Sequence, residues 1–119
     1  MTGNDIDIIA AKKKLSKLYN ELIDHSVGKY MKRIGIFGST SKGTRTLESD
    51  IDIILDIDSV KNSIFDIPIK DWKVIKRIIV NGFGINPYTN KPYVTDIVGL
   101  YEVKKFNQEE LLKSVQWVD

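Results

Sequence analysis

The 119-residue chain contains no cysteine and only one histidine, and its net charge is only +2. Without cysteine, disulfides and thiolate metal sites are both excluded. A charge so close to zero predicts no general electrostatic surface for nucleic acid. No apolar run is long enough to cross a bilayer, and the first residues lack the basic-then-apolar order of a signal peptide. We therefore expect a soluble cytoplasmic protein that does not enter a membrane.

What the chain does contain is the composition of a folded protein. Hydrophobic residues make up 42% of it and charged residues 29%. Both fractions argue against disorder. A chain of this length supports one hydrophobic core, so residues 1–119 are predicted to form one domain.

The first half of the chain predicts a helix and then two strands. Asn4 or Asp5 is placed to cap a helix that runs to about residue 26 and is ended by Gly28. The apolar stripe of this helix has helical spacing and consists of Ile8, Leu15, Leu18 and Leu22. A solvated face, rather than a phosphate-binding patch, is predicted for the lysines that lie mostly off the stripe, Lys12, Lys13, Lys14 and Lys17. Residues 30–37 and 49–57 then have the pattern of strands.

The second half is less regular. Residues 69–82 fit a helix whose apolar positions include Trp72, Ile75 and Ile79, and their β-branched content would also suit a strand; we favour the helix. Residues 81–93 have the Gly, Asn and Pro density of a connection, and residues 94–103 read as a third strand. Asn107 and Glu110 have capping-box spacing and predict a final helix with the apolar stripe Leu111, Val115 and Val118. This order predicts an α/β (α+β) domain in which helices pack against a small mixed sheet.

Four aspartates in or beside the second predicted strand all stand at even-numbered positions: Asp50, Asp52, Asp56 and Asp58. Side chains two residues apart on a strand project from the same face, about 7 Å apart. Asp50 and Asp52 therefore project together, while Ile51 and Ile53 face the opposite way. Two carboxylates side by side repel each other, and a divalent cation removes that cost. Hard oxygen ligands suit Mg²⁺ or Mn²⁺.

The alternative explanation is a strand edge whose aspartates face water and oppose aggregation. A lone Asp-x-Asp pair would favour this alternative by roughly 3 to 1. We assign Asp56 and Asp58 to it, because they lie where the strand should leave for a loop.

The turn before the aspartates has the features of a phosphate-binding site. Gly38 lets a ligand approach the backbone, and Ser39 offers a hydroxyl at a possible helix N-terminus, where amides favour an anion such as a triphosphate. Lys42 and Arg45 could add charge to this site, although flexible surface cations are more often solvated. The turn is not a P-loop, because Thr44 and Arg45 stand where Lys and Ser/Thr are required.

Together these residues resemble the nucleotidyltransferase superfamily typified by DNA polymerase β, and especially its minimal nucleotidyltransferases and the archaeal CCA-adding enzymes. The shared pattern is an apolar residue, Gly-Ser, a spacer of ten residues and Asp-Ile-Asp, and it covers residues 38–55 closely. The resemblance implies a polymerase β-like fold and a third carboxylate on a later strand, which Asp96 supplies. Asp50 and Asp52 would then bridge two metal ions, and Asp96 would ligate the ion that activates the attacking hydroxyl. Without the resemblance, Asp96 could equally be an aspartate at the start of a strand.

The same resemblance implies transfer of a nucleoside monophosphate, AMP from ATP, to a hydroxyl acceptor with Mg²⁺ or Mn²⁺. Minimal nucleotidyltransferases are commonly paired as antitoxins with a HEPN-domain ribonuclease, which some of them adenylylate, so a HEPN-type partner protein is the expected acceptor. Two alternatives stay open: transfer to RNA ends with a separate subunit, which the modest charge does not favour, and a non-catalytic binding module. His25 is expected to be a surface or capping residue. The sequence leaves the base preference, the acceptor and any homo-oligomer undetermined.

Overall fold

The computed structural model describes residues 8–38, 41, 50–57, 67–87, 89–100 and 105–118, with only the backbone at 105–108. Several residues named above lie outside the described residues, namely Asn4, Asp5, Ser39, Lys42, Arg45 and Asp58. The helices and strands follow one another in this order: α1 Ile8–Asp24, a 3-10 helix Ser26–Tyr30, β1 Met31–Phe37, β2 Ile51–Ile57, α2 Ile69–Phe83, β3 Ile85–Asn86, β4 Lys91–Pro92, β5 Thr95–Gly99, α3 Lys105–Ser114 and β6 Gln116–Val118.

The main sheet within these ranges has the strand order β5-β2-β1-β6. Strand β2 runs parallel to β5, whereas β1 is antiparallel to both β2 and β6. The short strands β3 and β4 form a separate antiparallel pair. The sheet is therefore mixed, as the order of elements predicted.

Helices α1 and α2 cover one face of this sheet. The predicted stripe of α1 is buried at Leu15, Leu18 and Leu22, together with Ala11. Residues 69–83 are a helix rather than a strand, and their buried positions are Ile75, Ile79 and Phe83. Both stripes join one core with the side chains of alternate β2 residues, Ile51, Ile53, Leu55 and Ile57. Propensity alone left residues 69–83 undecided between helix and strand. Burial of their helical stripe in the core decides for the helix.

The predicted ends of the first and last helices are wrong. Helix α1 ends at Asp24, and Gly28 lies inside the 3-10 helix that follows. Helix α3 begins at Lys105, so Asn107 lies within it and does not cap it. It ends at Ser114, and Val118 belongs to strand β6, which pairs with β1. The edge of β1 offers backbone hydrogen-bond partners to residues 116–118. Pairing with this edge as a strand outweighs the helical spacing of Leu111, Val115 and Val118.

Each helix in the described part of the chain is too short or too polar to cross a bilayer.

Candidate active site

The candidate site lies on the sheet face opposite helices α1 and α2. In the parallel pair of β2 and β5, Asp52 and Asp96 are direct register partners. Register partners on neighbouring strands project from the same face, with the strands about 4.8 Å apart. Asp52 is half-buried and Asp96 is exposed. Two carboxylates that are 44 positions apart in the sequence are thereby held side by side.

Strand β2 fixes the direction of Asp52 by burying its neighbours. Ile51 and Ile53 are fully buried against the helices, so rotation of the strand would move isoleucine into water. Asp50 lies immediately before β2 and is exposed, and the adjacent Ile51 amide donates to the carbonyl of Val94 at 2.8 Å. The start of β2 is thus hydrogen-bonded to the residues that lead into β5.

The donor set suits a hard divalent cation. Asp52 and Asp96 offer carboxylate oxygens from adjacent strands, and Mg²⁺ commonly takes one or two protein carboxylates while phosphates and water complete its shell. Across the described residues, no three His, Cys, Asp or Glu side chains are gathered closely enough to hold a metal ion. The structure therefore assembles a carboxylate pair, with Asp50 near the start of the same strand.

Gly38 follows β1 and lies directly against the Asp52 carboxylate. Its φ of +73° is in the left-handed region that favours glycine. A Cβ at this position would lie 3.2 Å from Cγ of Asp52 and still closer to Oδ2. Any side chain here would displace the carboxylate. The glycine of the Gly-Ser turn therefore makes room for the carboxylate of Asp52.

Ser41 is a residue of the turn that sequence reasoning missed. Its hydroxyl donates a hydrogen bond to the carbonyl of Ser114, the last residue of α3. This bond connects the turn after β1 to the C-terminal end of a helix 73 residues away. A serine in a polar turn gives no sequence indication of such a partner.

Asp56 does not face water as predicted; it is 2% exposed. It is the register partner of Arg33 on β1, whose Nε donates to Oδ2 at 2.8 Å. The Arg33 guanidinium in turn stacks 3.9 Å from the ring centre of Trp117 on β6. Oδ1 of Asp56 is buried without a hydrogen-bond partner among the described atoms. The even position of Asp56 had suggested a solvated strand edge. Arg33 of β1 lies directly opposite it, however, so the carboxylate forms an ion pair instead.

His25 is exposed, as expected for a surface residue, and it immediately precedes the 3-10 helix. Its Nδ1 lies 3.1 Å from the hydroxyl of Ser26. Within the described residues it is not part of any acidic or metal-binding group.

Comparisons with known proteins identify the family and the fold. A family model described as "Nucleotidyltransferase domain" matches residues 12–118. Among solved structures, that of a toxin-antitoxin with AMP-PNP superimposes with a TM-score of 0.58 and 19% sequence identity, over 89% of this chain and 70% of that chain. At this identity the likeness establishes the fold alone. No curated protein matches the sequence significantly.

Proposed function

The chain belongs to the nucleotidyltransferase domain family, and we propose that it transfers AMP from ATP to a hydroxyl group on a partner protein. The observation that carries this proposal is the register pairing of Asp52 with Asp96 beside Gly38. If the aspartates served only to keep a strand edge in water, neither feature would be needed. Asp96 would not have to stand opposite Asp52, and Gly38 would not have to leave room for the Asp52 carboxylate.

The positions of these residues suggest how the substrates are arranged. Phosphates would lie at the Gly-Ser turn, next to the Asp52 carboxylate that Gly38 accommodates. Ser39, Lys42 and Arg45 would bind the same phosphates in this proposal. Strand β5 is at the edge of the main sheet, and its Asp96 is exposed. An acceptor hydroxyl can therefore approach Asp96 from solvent without crossing the sheet.

Asp52 and Asp96 would hold Mg²⁺ or Mn²⁺, with Asp50 as a further carboxylate just before β2. When bound, the ion lowers the pKa of an acceptor hydroxyl and offsets phosphate charge. In the transfer, the acceptor oxygen forms a bond to the α-phosphorus while the bond from that phosphorus to the bridging oxygen breaks. Pyrophosphate leaves, and the acceptor proton passes to water or a carboxylate. The chain itself would position the reactants, and the paired strands β2 and β5 would keep the two carboxylates directed at the same site.

A HEPN-type toxin is the proposed partner, which would make this chain the antitoxin of a pair. Support comes from the shared fold with a structure of a toxin-antitoxin with AMP-PNP. That structure also supports an adenine nucleotide as the donor.

The test is a transfer assay with ATP labelled at the α-phosphate, Mg²⁺ and the protein encoded beside this chain. We expect label on the neighbouring protein and none when EDTA replaces Mg²⁺. Label on RNA added to the same reaction would support an RNA-end enzyme instead. If neither acceptor is labelled and the chain binds no ATP in the presence of Mg²⁺, the catalytic proposal is wrong.

A further inference from the structure

A groove of about 540 Å³ runs between helices α1 and α2, on the layer that covers the opposite side of the sheet from the aspartates. The two helices are antiparallel, because Lys14 of α1 lies beside Phe83 at the end of α2, while Tyr30, beyond the end of α1, bonds to Asp71 in the first turn of α2. Lys14, Lys17 and Leu18 line the groove from α1 at helical spacing, and Arg77, Ile78 and Gly82 line it from α2.

The helices that form this groove are far more basic than the chain as a whole. Together α1 and α2 carry eight lysine and arginine residues but only three acidic ones. The whole chain has 18 basic and 16 acidic residues. Although the net charge of the chain is near zero, helices α1 and α2 are basic, and they lie on the sheet face opposite the aspartates.

Two cations on the rim of the groove are available to a ligand. Lys17 and Arg77 are both exposed, and no carboxylate among the described residues lies within ion-pair distance of either. Lys14 is engaged differently, since its ammonium donates to the carbonyl of Phe83 at 3.3 Å at the end of α2. Lys17 and Arg77 stand on opposite helices and so form the two sides of the groove.

The floor of the groove is apolar. Leu18 is 4% exposed, Ile78 is half-buried, and Leu18 packs directly on the bare backbone of Gly82. None of the described residues that line the groove is aromatic, so it offers no stacking surface for nucleic-acid bases. Glu21 also lines it, so an acidic ligand must place its charges beside Lys17 and Arg77, which a continuous phosphate chain cannot do without also approaching Glu21. These features favour a peptide with apolar side chains over a nucleic acid.

We propose that this groove docks an amphipathic helix of a partner protein, one whose apolar stripe is flanked by aspartate and glutamate. The apolar stripe would lie on Ile78 and on the aliphatic stems of Lys14 and Lys17, and the acidic flanks would pair with Lys17 and Arg77. Because the groove and the aspartates lie on opposite sides of the sheet, docking leaves the nucleotide site open. The inference goes beyond the transfer reaction and does not depend on it.

The test uses a fluorescein-labelled helical peptide of about five turns, with leucine along one face and glutamate on both flanks. A matched peptide with glutamine in place of every glutamate is the ligand control. Fluorescence anisotropy with the full chain should show binding of the acidic peptide that weakens as salt is added. We expect the glutamine peptide to bind at least about tenfold more weakly, since two ion pairs are lost.

Two charge-matched variants locate the binding surface. Lys17→Glu/Arg77→Glu reverses the two rim cations, and Lys13→Glu/Lys73→Glu reverses two exposed lysines on the same helices outside the groove. We expect the first variant to lose about tenfold or more in affinity and the second to lose no more than about twofold. Thermal unfolding followed by circular dichroism checks that both variants fold.

Amide chemical-shift mapping on the unmodified chain gives a second measurement that requires no substitution, with shifts expected around Leu18 and Ile78. Equal losses in the two variants, shifts elsewhere, or no peptide binding at about 1 mM would overturn the proposal. Tighter binding of a single-stranded oligoribonucleotide at the same groove would also overturn it. An Asp52→Asn chain should bind the peptide as well as the unmodified one, so loss of transfer and loss of docking are distinguishable.

Discussion

Asp52 lies between two neighbours on the sheet, with Phe37 of β1 on one side and Asp96 of β5 on the other. Its backbone is held by both strands, whereas its carboxylate projects from the face opposite helices α1 and α2. A change confined to the carboxylate should therefore alter chemistry more than folding.

We predict that Asp52→Asn lowers nucleotide transfer by about 10²–10³-fold or more, because an amide is a weaker ligand and adds no negative charge. The unfolding temperature should stay within a few degrees of that of the unmodified chain, since the substitution also relieves repulsion with Asp96. A radiolabel transfer assay and a thermal melt measure the two effects. Asp24→Asn, at the exposed end of α1, is the isosteric control. Collapse of the fold in Asp52→Asn alone would show that the residue is structural.

Gly38 allows a sharper comparison, because Gly84 also has a positive φ but lies in different surroundings. Their φ angles are +73° and +75°, yet a Cβ at Gly84 would meet no atom within 4 Å. Alanine at either position should cost about 1–3 kcal/mol of unfolding free energy, because a positive φ is unfavourable for a residue with a Cβ.

Only Gly38→Ala should also weaken ATP binding and transfer, because its methyl group collides with the Asp52 carboxylate. Urea unfolding and calorimetric titration with ATP and Mg²⁺ separate the two effects. Equal activity of both variants would contradict the role assigned to Gly38.

Three strands are connected at the element scale by Arg33, which pairs with Asp56 of β2 and stacks on Trp117 of β6. The two partners of the ion pair are unequally buried, with the Arg33 side chain 46% exposed and that of Asp56 3% exposed. The consequences of removing each one should therefore differ.

Arg33→Leu should destabilise the fold by about 3–5 kcal/mol, because it leaves a buried carboxylate without a partner. Asp56→Asn should cost less, since Arg33 can turn its guanidinium towards water. Urea denaturation monitored by tryptophan fluorescence measures both free energies of unfolding. The assignment fails if Asp56→Asn is the more destabilising change.

At the scale of the whole molecule, a hydrogen bond from the Tyr30 hydroxyl to Asp71 at 2.9 Å joins the 3-10 helix to α2. This bond, aided by the charge of the Asp71 carboxylate, raises the pKa of Tyr30 above its usual value of 10.0. The folded state therefore holds this proton more tightly than the unfolded state does.

The contribution of Tyr30 to stability is complete below about pH 10 and is lost as the pH rises through the higher pKa of the folded state. We predict that the unmodified chain loses more unfolding free energy between about pH 9 and pH 11 than Tyr30→Phe does. Denaturant titrations at a series of pH values measure the difference. Parallel pH profiles for the two proteins would contradict it.

The molecule as a whole also separates its charges. Basic helices lie behind the sheet, and the paired aspartates lie in front of it. The docked partner and the bound nucleotide that we propose would therefore occupy opposite sides of the sheet.

The sequence by itself determined the features that depend on short-range geometry. Alternation along β2 determines that Ile51 and Ile53 are buried while Asp52 faces away, and helical spacing determines the buried stripe of α1. The Gly-Ser turn and Asp-Ile-Asp pattern were sufficient to indicate the family that the comparisons establish.

Only the tertiary structure decided which distant residues meet. The pairing of Asp52 with Asp96, the burial of Asp56 opposite Arg33, and the strand at 116–118 all depend on hydrogen-bonded register between separate segments. Register is set by the strands' mutual pairing and by burial of one shared face, so no local pattern encodes it. For that reason the sequence supplied the candidate carboxylates, and the sheet brought two of them together.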